Sequence, residues 1–507
     1  MAKANISHDL SFLKQDGTTE IGLMLARDRN GTPIYQETED ASLAYQIYSG
    51  EPGYANLPPD REIQIGQTDW RAGVGQEFYD KSQPNRYWKS INCDLRFTGE
   101  ATAGPAPVTI TIPTGVVRAH ARFNDKDYIG VDDDLCKLDT DYDEYASVNH
   151  FADGLNITDL KVYGDYLFIA RGGTNKYSYM DTSETITEST IDDGKADYFE
   201  VVDNTLWKAV KPAELKSSDT PLNGGSWTTA TTVGATSDDI IQLMTESGQL
   251  FVRKEDMPYY LDTDGNVHRL IPELITAPAT SGTTGDVWQA KLYMPCGDQG
   301  LVEYDSGVVT WRSPAKFCSN ISEYTGNIFA VTHDEEWLYL VTDNGGNVEI
   351  IAGRAGTSEV GADWVWHPIA ELSLPGCQIA WVSSVGKKRL YVASTVSAAT
   401  VTAYPLPTTY GDVSADPNYR FTSGGYFITP WFSANFRADY KSFIKLTLEL
   451  EHINATDYVS ASYRIWGQSD WTSIGNYTSA YSTKYIPVAA DGTKPVSTLI
   501  QFKFTFV

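Results

Sequence analysis

The densest concentration of residues able to do chemistry is acidic: Asp132-Asp133-Asp134, then Asp139, Asp141 and Asp143 at alternate positions, then Glu144. Alternating carboxylates can converge on one hard cation, and Ca²⁺ takes roughly six to eight oxygen ligands. Asp139, Asp141 and Asp143 are therefore the candidate metal ligands. A calcium loop of the EF-hand type needs Gly at its sixth position and Glu at its twelfth, where this run has Glu144 and His150. The competing reading, carboxylates solvated in turns, fits the same residues.

Other catalytic spacings are missing. The chain has no G-x-S-x-G nucleophile elbow, no G-x-x-x-x-G-K-[ST] phosphate loop, no H-E-x-x-H and no dinucleotide fingerprint running into a helix. Histidines at 8, 120, 150, 268, 333, 367 and 452 are scattered without ligand spacing. Cysteines at 93, 136, 296, 318 and 377 are odd in number and form no CxxC, so neither a disulfide framework nor a zinc site is implied. They read as small buried apolar residues in a reducing compartment. No cofactor is expected.

One turn, Asp305-Ser306-Gly307-Val308-Val309-Thr310-Trp311, resembles the S-x-D-x-G-x-T-W turn of sialidase blades, but it is a residue too long and occurs once. Nothing marks an arginine clamp or a tyrosine nucleophile. A glycoside hydrolase working through two plain carboxylates leaves no motif, and it stays as an alternative.

The bulk numbers narrow the partners. Among 507 residues, 66 acidic side chains face 39 basic ones, a formal charge of -27. Such a surface repels phosphate and cannot grip nucleic acid by neutralising it. The acids serve solubility, or they line a passage where DNA slides without sticking. Met1–Leu10 lacks the apolar run of a signal peptide, and no stretch approaches the length of a membrane span. The expectation is synthesis in a cytoplasm with no membrane insertion.

The elements come from a repeat. Small polar tips, Asn124-Asp125, Gly164-Asp165, Asp203-Asn204, Ser247-Gly248, Gln289-Ala290, Glu335-Glu336 and Lys387-Lys388, each run into a short strand carrying Leu, Ile or Tyr. They recur at intervals of about forty residues, the length of a four-stranded propeller blade. A lone blade leaves both faces wet, so neighbours must pack on it. The predicted fold is all-β: a β-propeller of about seven blades over 108–410, an extended N-terminal arm over 1–107 and a C-terminal β-sandwich or jelly roll over 411–507. The last domain rests on long alternating strands at 443–450, 458–466 and 498–507, with Phe502, Phe504 and Phe506 on one face for its core.

The leading segment has Pro-rich stretches, Glu51-Pro52-Gly53 and Leu57-Pro58-Pro59-Asp60, and then a concentration of aromatics. It has too little periodic apolar sequence for a core of its own. Trp70, Arg71, Phe78, Tyr79, Arg86, Tyr87 and Trp88 are therefore expected to form an assembly arm buried against another chain. Blade tryptophans such as Trp227, Trp311 and Trp366 fit packing between sheets. Exposed on loops, Trp227, Trp364 and Trp366 would instead be platforms for a glycan.

The segments Asp69–Gln76, Pro84–Trp88 and Tyr419–Phe432, set around an irregular propeller, resemble virion proteins of tailed bacteriophages. The resemblance covers most of the chain through composition more than through a fixed motif. It implies a structural tail component of the nozzle or tail-tip type, assembled in the host cytoplasm and resident in the virion. Its partners would be other tail proteins and copies of itself in a ring, with DNA only a passing, unbound polymer. The alternative within that family is a receptor-binding tail protein contacting a host surface glycan. No catalytic motif is implied.

Overall fold

Local backbone chemistry makes the hairpins. Four of the seven tips put both central residues at positive φ: Asn124 and Asp125, Asp203 and Asn204, Ser247 and Gly248, Gln289 and Ala290. That conformation matches the twist of the two strands it joins, which is why two-residue hairpins favour it. Asn, Asp and Gly adopt it cheaply. Gln289 and Ala290, at φ 51° and 57°, do not, and each costs about 1 kcal/mol or more.

The computed structural model describes the backbone of residues 10–13, 20–27 and 33–37. It also describes residues 66–507 except 81–83, 98, 173–174, 272–283, 297–299, 315–320, 322–323, 357–362, 409–412, 434–436, 439 and 488–494. The two Pro-rich stretches and Cys318 lie outside the described residues. Two compact units result, Met1–Gly66 and Gln67–Val507. In the first, Leu10–Leu13, Glu20–Arg27 and Pro33–Glu37 form an antiparallel meander in which Leu23 opposes both Leu10 and Glu37.

The second unit contains a seven-bladed β-propeller. Each of its seven sheets has four antiparallel strands. The innermost strands are Val117–Phe123, Asp159–Tyr163, Tyr198–Val202, Ile240–Glu246, Asp286–Trp288, Ile328–His333 and Cys377–Ser383. Each packs beside the next, and the seventh packs beside the first, so the ring is closed. All seven expected tips fall between the first and second strands of their blades.

Closure comes from a strand swap along the chain. Blade 7 takes Cys377–Ser383, Arg389–Ser394 and Ala398–Pro405 from the end of the repeat and Val108–Gly115 from its beginning. The ends of the ring are thus held by a ladder of backbone hydrogen bonds, backed by Ile110 and Ile112 against Trp381, Tyr391 and Val401. The apolar clusters lie between successive blades; one joins Leu135, Leu160 and Leu167, another Leu215, Leu243 and Val252. This is the radial packing that a lone blade lacks.

After the propeller, a five-stranded sheet runs in the order Thr472–Tyr477, Val459–Ile465, Ile500–Phe506, Tyr426–Ile428, Lys89–Ile91. A ribbon of Lys445–Glu449 and Tyr481–Tyr485 packs its leucines on it. Phe504 is buried, and Phe502 and Phe506 lie at the core margin. The edge strand Lys89–Ile91 belongs to the segment expected as an arm. One continuous core runs from blades 5 and 6 (Trp288, Leu338, Trp366) through Trp70, Tyr87 and Leu95 to Phe427 and Phe504. No α-helix occurs among the described residues.

Candidate functional site

The aromatic segment expected to grip a neighbour is folded onto its own chain instead. Trp70, Arg86 and Tyr87 are buried. Trp70 meets Phe427 edge-on at 5.0 Å between ring centroids, and the Tyr87 hydroxyl lies 3.3 Å from Nδ1 of His367. Arg71 pairs with Asp69 at 2.8 Å, and Tyr79 packs on Phe432 at 5.2 Å. Phe78 sits against Trp466 at 5.5 Å and beneath the Arg437 guanidinium, while Trp88 borders the core. The physical reason is burial: so many aromatics gain more against Phe427 and Trp366 than they would in water. The segment works as a clamp between blade 6 and the C-terminal sheet.

That clamp holds a surface which does face outward. In the ribbon, residues of even number turn in: Leu446 and Leu448 pack on the core, and Tyr477 donates a hydrogen bond to the Leu446 carbonyl at 3.0 Å. Residues of odd number turn out, so Lys445 opposes Tyr485, Thr447 opposes Thr483 and Glu449 opposes Tyr481. The Thr447 and Thr483 hydroxyls hydrogen-bond at 2.8 Å, while Tyr481 and Tyr485 are 72% and 73% exposed. Tyr440, just before the ribbon, is 77% exposed. Tyrosine unites a large apolar face with a hydroxyl at low entropic cost, which is why contact surfaces are rich in it. The expectation placed contact residues in the leading segment, and these exposed tyrosines were not among them. Its signal was present as a strand, Tyr-Ser-Thr-Lys-Tyr, whose alternate large residues are aromatic without an apolar core to serve.

The remaining candidates are placed as follows. Asp139 caps its own turn, its Oδ1 accepting the backbone N–H groups of Asp143 at 3.1 Å and Glu144 at 3.4 Å, while Asp141 and Asp143 point into solvent. Among the described residues, the group of three that could share an ion is a different one, Asp133, Asp134 and His150. Its two carboxylates are half-buried and His150 is exposed, with Nδ1 3.7 and 3.4 Å from them. Asp305 to Trp311 forms an ordinary hairpin of blade 5, with Asp305 3.4 Å from Lys291 Nζ.

Nor do the three candidate tryptophans offer platforms. Trp364 and Trp366 are buried, with centroids 5.7 Å apart. Trp227 is half-buried, edge-on to Tyr177 at 5.9 Å, with Lys208 Nζ 4.4 Å from its ring. Lys208 is itself sealed from water, and burial pushes its pKa down to about 8. Cross-strand Lys216 adds like charge, and Asp193, 3.5 Å from Lys208 and 2.8 Å from Lys216, offsets it.

One constellation has the outline of a hydrolase base. Buried Asp127 accepts hydrogen bonds from His120 Nε2 at 2.8 Å and from the Tyr145 hydroxyl, and Trp381 stacks on the imidazole at 5.3 Å. The tyrosine hydroxyl is held by the carboxylate and not by the imidazole, so it is not placed to lose its proton to His120. What the group does join is blade 1 to blade 7, across the ring closure.

No family model matches the sequence, and no curated protein matches it. Among solved structures, a selenomethionine-substituted virginiamycin B lyase from Staphylococcus aureus is similar at 10% identity with a TM-score of 0.45, over 59% of this chain and 99% of that one. The extracellular domain of a one-component system from B. thetaiotaomicron is similar at 11% identity with a TM-score of 0.44, over 93% of this chain and 67% of that one. The computationally designed protein Ika8 is similar at 10% identity with a TM-score of 0.40, over 60% of this chain and 100% of that one. Likeness this distant says nothing of activity.

Proposed function

We propose that the protein is a structural component of a tailed-bacteriophage tail, of the nozzle or tail-tip type, resident in the virion and working through protein–protein contacts. The observation that supports this reading is the outward pair Tyr481 and Tyr485 on one face of a ribbon, with Tyr440 also exposed, on a sandwich fixed to a closed propeller. A rigid body presenting preformed aromatic anchors binds neighbours without first ordering itself. Copies of this chain in a ring are the proposed partners, beside other tail proteins. The net charge of -27 suits a ring through which DNA passes without adhering. No catalysis is proposed.

The test is made on particles from the source of this sequence. Quantitative mass spectrometry should find the chain in a fixed copy number per particle. The double variant Tyr481→Ala, Tyr485→Ala should fold with unchanged thermal stability and yet be depleted from particles. A chain absent from purified particles overturns the reading.

A further inference from the structure

The strongest unassigned site is a groove between blades 2 and 3. Its floor and one wall come from the tip Gly164-Asp165 with its flanking Tyr163 and Tyr166, and its other wall from loop 219–225 after strand Glu214–Ser218. The groove is open to solvent along its length and holds about 490 Å³, within the range of sites for small organic ligands.

The loop is held from behind. Thr205 Oγ1 donates to Asp219 Oδ1 at 2.6 Å, the Thr190 N–H donates to Asn223 Oδ1 at 2.7 Å, and Tyr177 donates to the Pro221 carbonyl. Gly225 approaches the Thr220 carbonyl so closely that an added Cβ would lie 1.6 Å from its oxygen. The Tyr163 hydroxyl donates to the Asn204 carbonyl at 2.8 Å, which fixes its ring at the rim. These bonds preform the groove, so a ligand need not order it.

What lines the groove is tyrosine side chains, packed at their bases on the Phe168 and Tyr179 cluster, and acceptors. Tyr166 is half-buried, its ring supported edge-on by Tyr179 at 5.6 Å. The carboxylates of Asp165 and Asp219 are exposed, and Lys, Arg and His are all missing from the lining. Two carboxylates without a cation raise the energy of any anionic ligand. They accept hydrogen bonds from neutral hydroxyls, while a tyrosine face stacks on C–H groups.

We infer that this groove binds a neutral pyranose saccharide, with Tyr166 as the stacking face and Asp165 and Asp219 as hydroxyl acceptors. The inference does not rest on the virion reading, because binding is measured on the isolated chain.

Saturation-transfer NMR on the full chain tests it with the methyl glycosides of glucose, galactose and N-acetylglucosamine, with sialyllactose and tetramethylammonium as charged comparisons. Transfer to at least one neutral glycoside is expected, weakened about tenfold or more by Tyr166→Ala and by the exposed, isosteric Asp165→Asn. Asp165 is exposed at the tip, so Asp165→Asn separates lost binding from lost folding. Transfer to none of the three glycosides overturns the proposal. So does transfer unchanged by both variants, or binding of tetramethylammonium in place of sugar.

Discussion

Asp94 and Arg96 form a two-pronged ion pair where water does not reach. Nη2 lies 2.7 Å from Oδ2 and Nε 2.9 Å from Oδ1, and the two side chains are 0% and 1% exposed. Tyr419 donates to Asp94 at 3.0 Å, and Arg96 donates to the Tyr339 hydroxyl at 3.2 Å. Tyr339 in turn donates to Asp334, which Lys388 approaches to 3.1 Å. The pair therefore ties the clamp segment, blade 6, the tip of blade 7 and the start of the C-terminal region into one network.

Breaking that pair should be expensive, because the surviving charge stays buried. Arg96→Met is expected to lower unfolding stability by about 3 to 5 kcal/mol in urea titration. Removing both charges, with Asp94→Leu added, should recover most of the loss. Burial alone would raise the Asp94 pKa, but Arg96 outweighs it and holds the carboxyl below its usual 3.8. The contribution is thus complete above that value and fades as pH falls through the lower folded one. A double variant no more stable than Arg96→Met would contradict this account.

A second pH effect comes from His367. Burial pushes its pKa down to about 3 from 6.5, so the folded imidazole stays neutral while the unfolded one takes up a proton below 6.5. Stability should therefore fall on acidification from pH 6.5 toward 3, by up to about 1.4 kcal/mol per unit. His333 works in the opposite sense. Burial pushes its pKa down, but the Asp286 carboxylate 2.6 Å away raises it on balance. Its contribution is present below 6.5 and fades as pH rises through the folded value. Urea midpoints between pH 4 and 6.5 should show a flatter slope for His367→Gln, while above pH 6.5 His333→Gln should lose less stability with rising pH than the parent chain.

Trp366 is pressed by backbone from two sides. An added Cβ at Gly73, whose φ is +84°, would lie 2.7 Å from the Trp366 carbonyl oxygen, and one at Gly353 would lie 2.0 Å from its ring. Gly73→Ala and Gly353→Ala should each cost about 2 kcal/mol or more. Gly154→Ala, also at positive φ but with open space around it, should cost about 1 kcal/mol. Calorimetric melting temperatures rank the three, and equal shifts would show that contact with Trp366 is unimportant.

The closing strand makes a further prediction. Ile110 is fully buried against blade 7, whereas Thr109 beside it is exposed. Ile110→Ala should cost about 2 to 5 kcal/mol and open the ring to limited proteolysis, while Thr109→Ala should change stability by about 0.5 kcal/mol at most. Equal protease resistance in the two variants would mean that closure does not depend on this strand.

The blades were legible because their determinants are local. A tip such as Asp203-Asn204 and the alternation in Tyr198–Val202 need only neighbouring residues, so seven hairpins and the all-β class could be read from spacing. The candidate site was less so. Trp70 to Trp88 stood out as aromatic, but an aromatic residue does not name what covers it. Tyr87 meets His367 and Trp70 meets Phe427, hundreds of residues away.

The amino-acid order alone determined the period, the turn chemistry, the acidic balance and the lack of a catalytic motif, since each is a property of adjacent residues or of their sum. Tertiary structure decided that Val108–Gly115 leaves its sequence neighbours to complete blade 7, that the leading aromatics become an internal clamp, and that Tyr481 and Tyr485 stay in water. Those outcomes depend on which apolar surfaces meet once loops have closed, and closure entropy grows so slowly with loop length that sequence separation does not forecast the partner.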